Sequence, residues 1–263
     1  MQRSILIDDA RIAFEQQGTG PSVLLVHGFP FDGSMWSRLA TGVPRFRRVV
    51  PDLRGFGASA LGSEPPTMAR YADDLVGLLD ALHIELAIVC GLSMGGYVAF
   101  ELVHRHPERV RGLVLMDTRA DADSPEGRGN RDEMASLVER EGMGAVAQRL
   151  IPRLLAPGSD RRPAAVRHLM RMMLAAPPRG VVAALRAMRD RSDATDWLLD
   201  IRVPTLVIAG EADQLTPPEV AIAMSERIPG ARCAIVPGAG HVPPIERPRV
   251  TGGLVRRFLE DTR

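Results

Sequence analysis

The chain has 263 residues, of which 45% are hydrophobic and 25% charged, ordinary proportions for a globular protein whose length suits one core with an inserted segment. A formal net charge of +1 offers no electrostatic case for nucleic acid or an anionic membrane surface. All 33 basic residues are Arg, and the lack of Lys excludes a Schiff-base amine, a Ser-Lys dyad and a Walker-type phosphate loop.

In chain order, Ile5 to Asp8 and Arg11 to Gln16 read as two short antiparallel edge strands, ended by Gly18-Thr19-Gly20-Pro21. Ser22 to Val26 is a continuous apolar run of the kind found in strands buried on both faces. The loop His27-Gly28-Phe29-Pro30 follows it directly, placing the Phe29 amide where it can serve as a hydrogen-bond donor. His27 itself reads as a residue that fixes the loop. Phe46 to Val50 is the next strand, and the Gly-rich turn Pro51 to Ser59 beyond it is expected to be tied by an Asp52–Arg54 pair. Thr67 caps a predicted helix with Tyr71, Leu75, Leu78, Leu79 and Leu82 at helical spacing.

The strand Ile84 to Val89 then leads into Cys90-Gly91-Leu92-Ser93-Met94-Gly95-Gly96 and a helix over Tyr97 to His106, stopped by Pro107. A G-x-S-x-G sequence between strand and helix has a chemical meaning. Glycines 91 and 95 let strand and helix pass closely, so Ser93 is held in a strained turn with its hydroxyl at the carboxyl edge of the sheet. The helix-start amide of Met94 faces charge developing beside Ser93. Val110 to Met116 is again a buried strand, ending at Asp117. Alternating strand and helix from 22 to 117 predict an α/β fold with a mostly parallel central sheet and helices on both faces.

From 118 to 200 apolar strands disappear, and helix-compatible stretches at Arg131 to Arg140, Val146 to Leu155, Ala164 to Ala175 and Val181 to Arg191 are separated by Pro152, Pro157, Pro163 and Pro177-Pro178. The segment reads as a helical cap inserted into a core made of residues 1–117 and 201–263. Its methionines, Met134, Met143, Met170, Met172, Met173 and Met188, read first as core filling and second as an adaptable apolar lining. Strand texture returns at Pro204 to Ala209, followed by Asp213 and a proline-started helix; a last strand, Arg232 to Val236, leads to His241 on a Gly/Pro loop. Ser93, Asp213 and His241 each follow a strand of one parallel sheet and so converge on one rim. Histidine, titrating near neutrality, is the base that a serine hydroxyl needs, and an acid fixes its tautomer. Asp117 also follows a strand and stands as the alternative acid.

Cys90 and Cys233 both lie in apolar runs and are expected to be buried free thiols. Met1 to Ile5 lack a signal-peptide core, and no apolar run approaches the roughly 18 residues of a membrane span, so a cytoplasmic protein is expected.

Over essentially its whole length the chain resembles the α/β-hydrolase fold superfamily. The matching stretches are His27-Gly28-Phe29-Pro30, Asp52-Leu53-Arg54-Gly55-Phe56-Gly57, Gly91 to Gly96, Gly210-Glu211-Ala212-Asp213 and Gly240-His241, with Ser, Asp and His in the superfamily's order. Thr118 to Asp123 resembles small bacterial carboxylesterases and enol-lactone hydrolases. The resemblance implies a serine esterase for small or medium acyl esters, with Ser93, Asp213 and His241 catalytic, the amides of Phe29 and Met94 as oxyanion hole, and no metal or organic cofactor. The same machinery serves lactone and carbon-carbon bond hydrolases, and a binding protein of the same fold can retain it without turnover.

Overall fold

The computed structural model describes residues 2–40, 45–158 and 163–262. Eight strands form one sheet: β1 (Arg3–Ile7), β2 (Ala10–Gln17), β3 (Ser22–Val26), β4 (Arg47–Pro51), β5 (Ala87–Leu92), β6 (Val110–Met116), β7 (Thr205–Gly210) and β8 (Arg232–Val236). Their order across the sheet is β1-β2-β4-β3-β5-β6-β7-β8. β2 runs antiparallel to β1 and to β4, and every other neighbouring pair is parallel. The fully buried residues of β5 and β7 explain the unbroken apolar runs, because helices cover both faces there.

The helices are α1 (Ser37–Ala40), α2 (Met68–Ala81), α3 (Met94–Arg105), α4 (Pro125–Leu154), α5 (Pro163–Ala175), α6 (Pro178–Arg189), α7 (Pro218–Arg227), α8 (Pro243–Glu246) and α9 (Pro248–Asp261). Thr67 caps α2, accepting from the Arg70 amide at 3.0 Å, and Tyr71, Leu75, Leu78 and Leu79 form its buried stripe. The three helices α4 to α6 lie between β6 and β7, where strand texture lapses in the sequence. Their buried side chains, Met134, Met143, Met172, Met173 and Met188 among them, belong to the same continuous hydrophobic core as the sheet, with Met170 packed against it.

Four expectations require correction. Pro152 does not separate two helices but sits inside the last turns of α4; the break between the two anticipated helices is at Gly142, whose φ of 74° only glycine adopts easily. β5 lies further along the chain than expected because Gly91 and Leu92 still pair in register with Leu115 and Met116 of β6. Asp52 and Arg54 do not pair with each other. Asp52 accepts from the amides of Gly33 at 2.8 Å and Ala58 at 2.9 Å, while the guanidinium of Arg54 reaches Asp74 at 2.7 Å and Asp9 at 2.6 Å. Cys90 is a buried free thiol, but Cys233 is exposed because β8 is the edge strand.

Candidate active site

Ser93 closes β5 and caps α3, with φ 53° and ψ −113°, a sparsely populated conformation for a residue with a side chain. Two close approaches hold it there: a Cβ on Gly91 would fall on the backbone of Gly95, and one on Gly95 would fall on the carbonyl of Val26. The Ser93 amide donates to the Met116 carbonyl at 2.8 Å, and its own carbonyl accepts from the Thr118 hydroxyl at 2.9 Å. Backbone bonding thus locks the turn against the end of β6. The side chain is left half-buried, and among the described residues its hydroxyl makes no hydrogen bond to a protein group.

Asp213 and His241 meet directly. His241 Nδ1 lies 2.8 Å from Asp213 Oδ2, and both residues are buried. Asp213 is fixed by three further donors: the Leu215 amide at 2.8 Å and the Thr216 amide at 3.2 Å on Oδ1, and the Thr216 hydroxyl at 2.6 Å on Oδ2. Burial by itself would raise the Asp213 carboxyl, but the His241 ring, the Thr216 hydroxyl and the Leu215 amide outweigh it and hold it below the usual carboxylate range. Thr216, absent from the expected site, was foreshadowed by its spacing from Asp213, since an Asp followed by local amide donors is an ordinary turn pattern.

The loop after β8 does not stay above its own strand. The Ala212 amide donates to the Ala239 carbonyl at 2.8 Å, and a Cβ on Gly210 would strike Gly240, so the loop folds back over the end of β7. Asp117, at the end of β6, then comes close: one donor atom each from Asp117, Asp213 and His241 lie within 4.8 Å of one another. Ser93 directly follows β5, which pairs with β6. Ser93, Asp213 and His241 each follow the carboxyl end of a parallel strand of the one sheet, with Asp117 at the end of the intervening β6 gathered against the Asp213–His241 pair. The three donor atoms could in principle face a cation, but His241 Nδ1 is already engaged with Asp213, and we read the group as a hydrogen-bonded set.

A buried carboxylate absent from the sequence reading, Glu246, holds this loop. Its Oε1 accepts from the Gly240 amide at 2.6 Å and its Oε2 from the Ala156 amide at 3.0 Å. The His241 amide in turn donates to the Leu154 carbonyl at 2.8 Å. The end of α4 is thereby stitched to the loop that carries the imidazole. Asp117 is buried too, its Oδ1 accepting from the Gly210 amide at 2.8 Å, and its φ of 44° makes it a second left-handed residue at this rim. Burial, the Asp213 carboxylate and Glu246 push the Asp117 carboxyl well above the usual range, against the pull of the Gly210 amide.

His27 fixes its loop, as its surroundings in the sequence suggest. Nε2 accepts from the Leu53 amide at 2.9 Å, so Nδ1 carries the proton and donates to the Gly28 carbonyl at 2.9 Å. Burial holds this ring below the ordinary histidine range. Among the described residues, the amides of Phe29 and Met94 donate to no protein acceptor. A groove of about 880 Å³ runs between residues 61–69, α4 and α6; Ser93, Asp213 and His241 do not line it, so the chemistry is not located by that cavity.

Residues 21–248 match the family described as alpha/beta hydrolase fold. Among solved structures, the chain is similar to a thermophilic esterase from Thermogutta terrifontis with malate bound, at 42% identity and a TM-score of 0.96, covering 100% of this chain and 99% of that one. It is also similar to the enol-lactonase from Burkholderia xenovorans LB400, at 28% identity and a TM-score of 0.92, covering 98% and 100%. A pimeloyl-[acyl-carrier protein] methyl ester esterase of Aromatoleum aromaticum is 32% identical over 248 residues, 89% of this chain and 96% of that protein.

Proposed function

The chain belongs to the alpha/beta hydrolase fold family, and on that premise we propose that it is a serine hydrolase cleaving carboxylic esters of small or medium acyl groups through Ser93, His241 and Asp213. The observation that carries the reading is the 2.8 Å His241–Asp213 hydrogen bond at the rim where Ser93 occupies its strained turn.

In this reading the Ser93 hydroxyl attacks the ester carbonyl carbon as its proton passes to His241 Nε2. Asp213 keeps Nδ1–H oriented and stabilises the imidazolium that forms. The unengaged amides of Phe29 and Met94 receive the negative charge of the tetrahedral oxygen, each contributing on the order of 3 kcal/mol. Collapse breaks the bond to the alkoxy oxygen, which leaves with the proton from His241. Water, deprotonated by the same ring, then attacks the acyl-Ser93 ester, and the carboxylic acid departs with Ser93 restored. In this reading the Ser93 hydroxyl and the His241 imidazole come into hydrogen-bond reach when substrate binds, since catalytic hydrogen bonds in unliganded sites are often long or poorly aligned. The helices α4 to α6 act as the cap over this rim, their tie to the His241 loop running through Glu246.

A second reading, lactone opening on the same residues, is favoured by the near full-length likeness to an enol-lactonase. Release of p-nitrophenol from acetyl, butyryl and octanoyl esters, set beside hydrolysis of a lactone panel, separates the two. The proposal expects ester turnover that disappears in Ser93→Ala. Turnover confined to lactones would replace it with the second reading, and no turnover or probe labelling in folded protein would favour a non-catalytic binding protein.

A further inference from the structure

Asp117 is the acid that the proposed chemistry leaves without a task. Asp117 is 1% exposed, one carboxyl oxygen is satisfied by the Gly210 amide, and the other, Oδ2, has no protein partner among the described residues as long as the group is only an acceptor. Buried orphan oxygens of this kind are rare and ask for an explanation. The groups facing Asp117 are Asp213 from the loop after β7, His241 from the loop after β8, Glu246 from α8 and the Gly210 amide. Two carboxyls this close, both withdrawn from water, cannot both carry charge. Asp213 has four donors and must be the ionised partner.

We propose that Asp117 is held as the neutral carboxylic acid and donates an Oδ2–H hydrogen bond to the Asp213 carboxylate, making it a positioning residue for the acid–base pair. The proton supplies the orphan oxygen with its partner and gives Asp213 a further donor. That donor draws charge from the carboxylate and so restrains how strongly Asp213 favours the imidazolium over the neutral imidazole. Asp117 is then neither the alternative acid nor a spectator: it sets the basicity of the acid that orients His241. The shifts on the two carboxyls agree, Asp117 above the usual range for the reasons of burial and neighbouring charge, and Asp213 below it. The inference rests on the reading of Asp213 and His241 as acid and base.

Asp117→Asn tests it, because an amide reproduces a neutral acid atom for atom: its oxygen accepts from Gly210 and its NH₂ donates to Asp213. Asn also tolerates the left-handed backbone. Thermal unfolding of wild type and variant is followed from pH 4.5 to 8.5. An acid whose folded pKa is raised contributes stability that is present below the unfolded carboxylate pKa and is lost as pH rises toward the folded one. The Tm difference should therefore grow in the variant's favour as pH rises, and a flat or shrinking difference overturns the proposal. In parallel, Asp117→Asn, which keeps the donor, should leave the acidic limb of the kcat/KM pH profile unmoved. Asp117→Ala, lacking the donor, should move that limb upward by about half a pH unit. A loss of more than about tenfold in the Asn variant, or a downward move of its limb, identifies an ionised Asp117 and overturns the proposal. The Tm series needs no turnover, so a failed hydrolase reading and a failed role for Asp117 are told apart.

Discussion

Glu246 holds the loop that carries the imidazole by accepting two backbone amides, and Glu246→Gln probes that support. The carboxylate accepts two amides, Gly240 at 2.6 Å and Ala156 at 3.0 Å. Gln keeps the shape but has one acceptor oxygen; in either orientation its NH₂ faces an N–H donor, so one charge-assisted bond is lost and the other weakens. A hydrogen bond to a charged group is worth about 1.5–3 kcal/mol, and at 5% exposure water does not replace it, so the variant should lose about 2 kcal/mol of unfolding free energy. For a chain of this size that corresponds to a fall of roughly 5 °C in Tm. Glu246→Ala orphans both amides and should cost about 4 kcal/mol. Because the His241 amide is bonded to the Leu154 carbonyl in the same seam, loosening it displaces the ring. We expect kcat to fall on the order of tenfold at nearly constant KM, as a slight misplacement of a catalytic group would produce. Urea unfolding and steady-state kinetics measure both effects. A Gln variant within about 0.5 kcal/mol of wild type, with unchanged kcat, would refute the reasoning.

Asp213→Asn should lower kcat by about 10⁴ while leaving the fold intact, since the ring loses the partner that sets its tautomer; circular dichroism and initial rates check it, and a small loss would return the acid's role to Asp117. His27, buried and neutral, has a folded pKa below its unfolded value near 6.5, so its contribution to stability is complete above that pH and is lost as pH falls below it, by up to about 1.4 kcal/mol per unit. His27→Gln, which does not titrate, should flatten the decline in unfolding free energy between pH 7 and 5; an unchanged slope contradicts this. Arg54→Met removes both short bonds to the buried carboxylate of Asp74, leaving it the Arg70 guanidinium at 3.3 Å, and should cost about 2–3 kcal/mol in urea titration, whereas an effect under about 0.5 kcal/mol would show the pair to be dispensable.

What the sequence could reveal was whatever is encoded locally. The runs at Val23 to Val26 and Leu113 to Met116 are apolar without alternation because both faces of those strands are covered, and that leaves a pattern readable without coordinates. The glycines around Ser93 are likewise a local record of a close strand–helix approach. Partners brought together by the fold leave no such record. Arg54 finds Asp74 on α2 and Asp9 in the first turn, neither of them its neighbour Asp52. Cys233 is exposed because β8 ends the sheet, and strand order is a property of the whole topology. Glu246, after two prolines, has nothing in its vicinity to suggest that its carboxylate joins the His241 loop to α4. The carboxyl pair of Asp117 and Asp213 spans 96 positions and becomes visible only when β6 and β7 lie side by side.

Covalent capture reads out whether Ser93 is an activated nucleophile. Folded protein is treated with a fluorophosphonate probe, and the adduct is located by peptide mass spectrometry. One adduct is expected, on Ser93, whose formation slows severely in His241→Ala and disappears in Ser93→Ala. An unlabelled protein, or a label on another residue that survives Ser93→Ala, would contradict it.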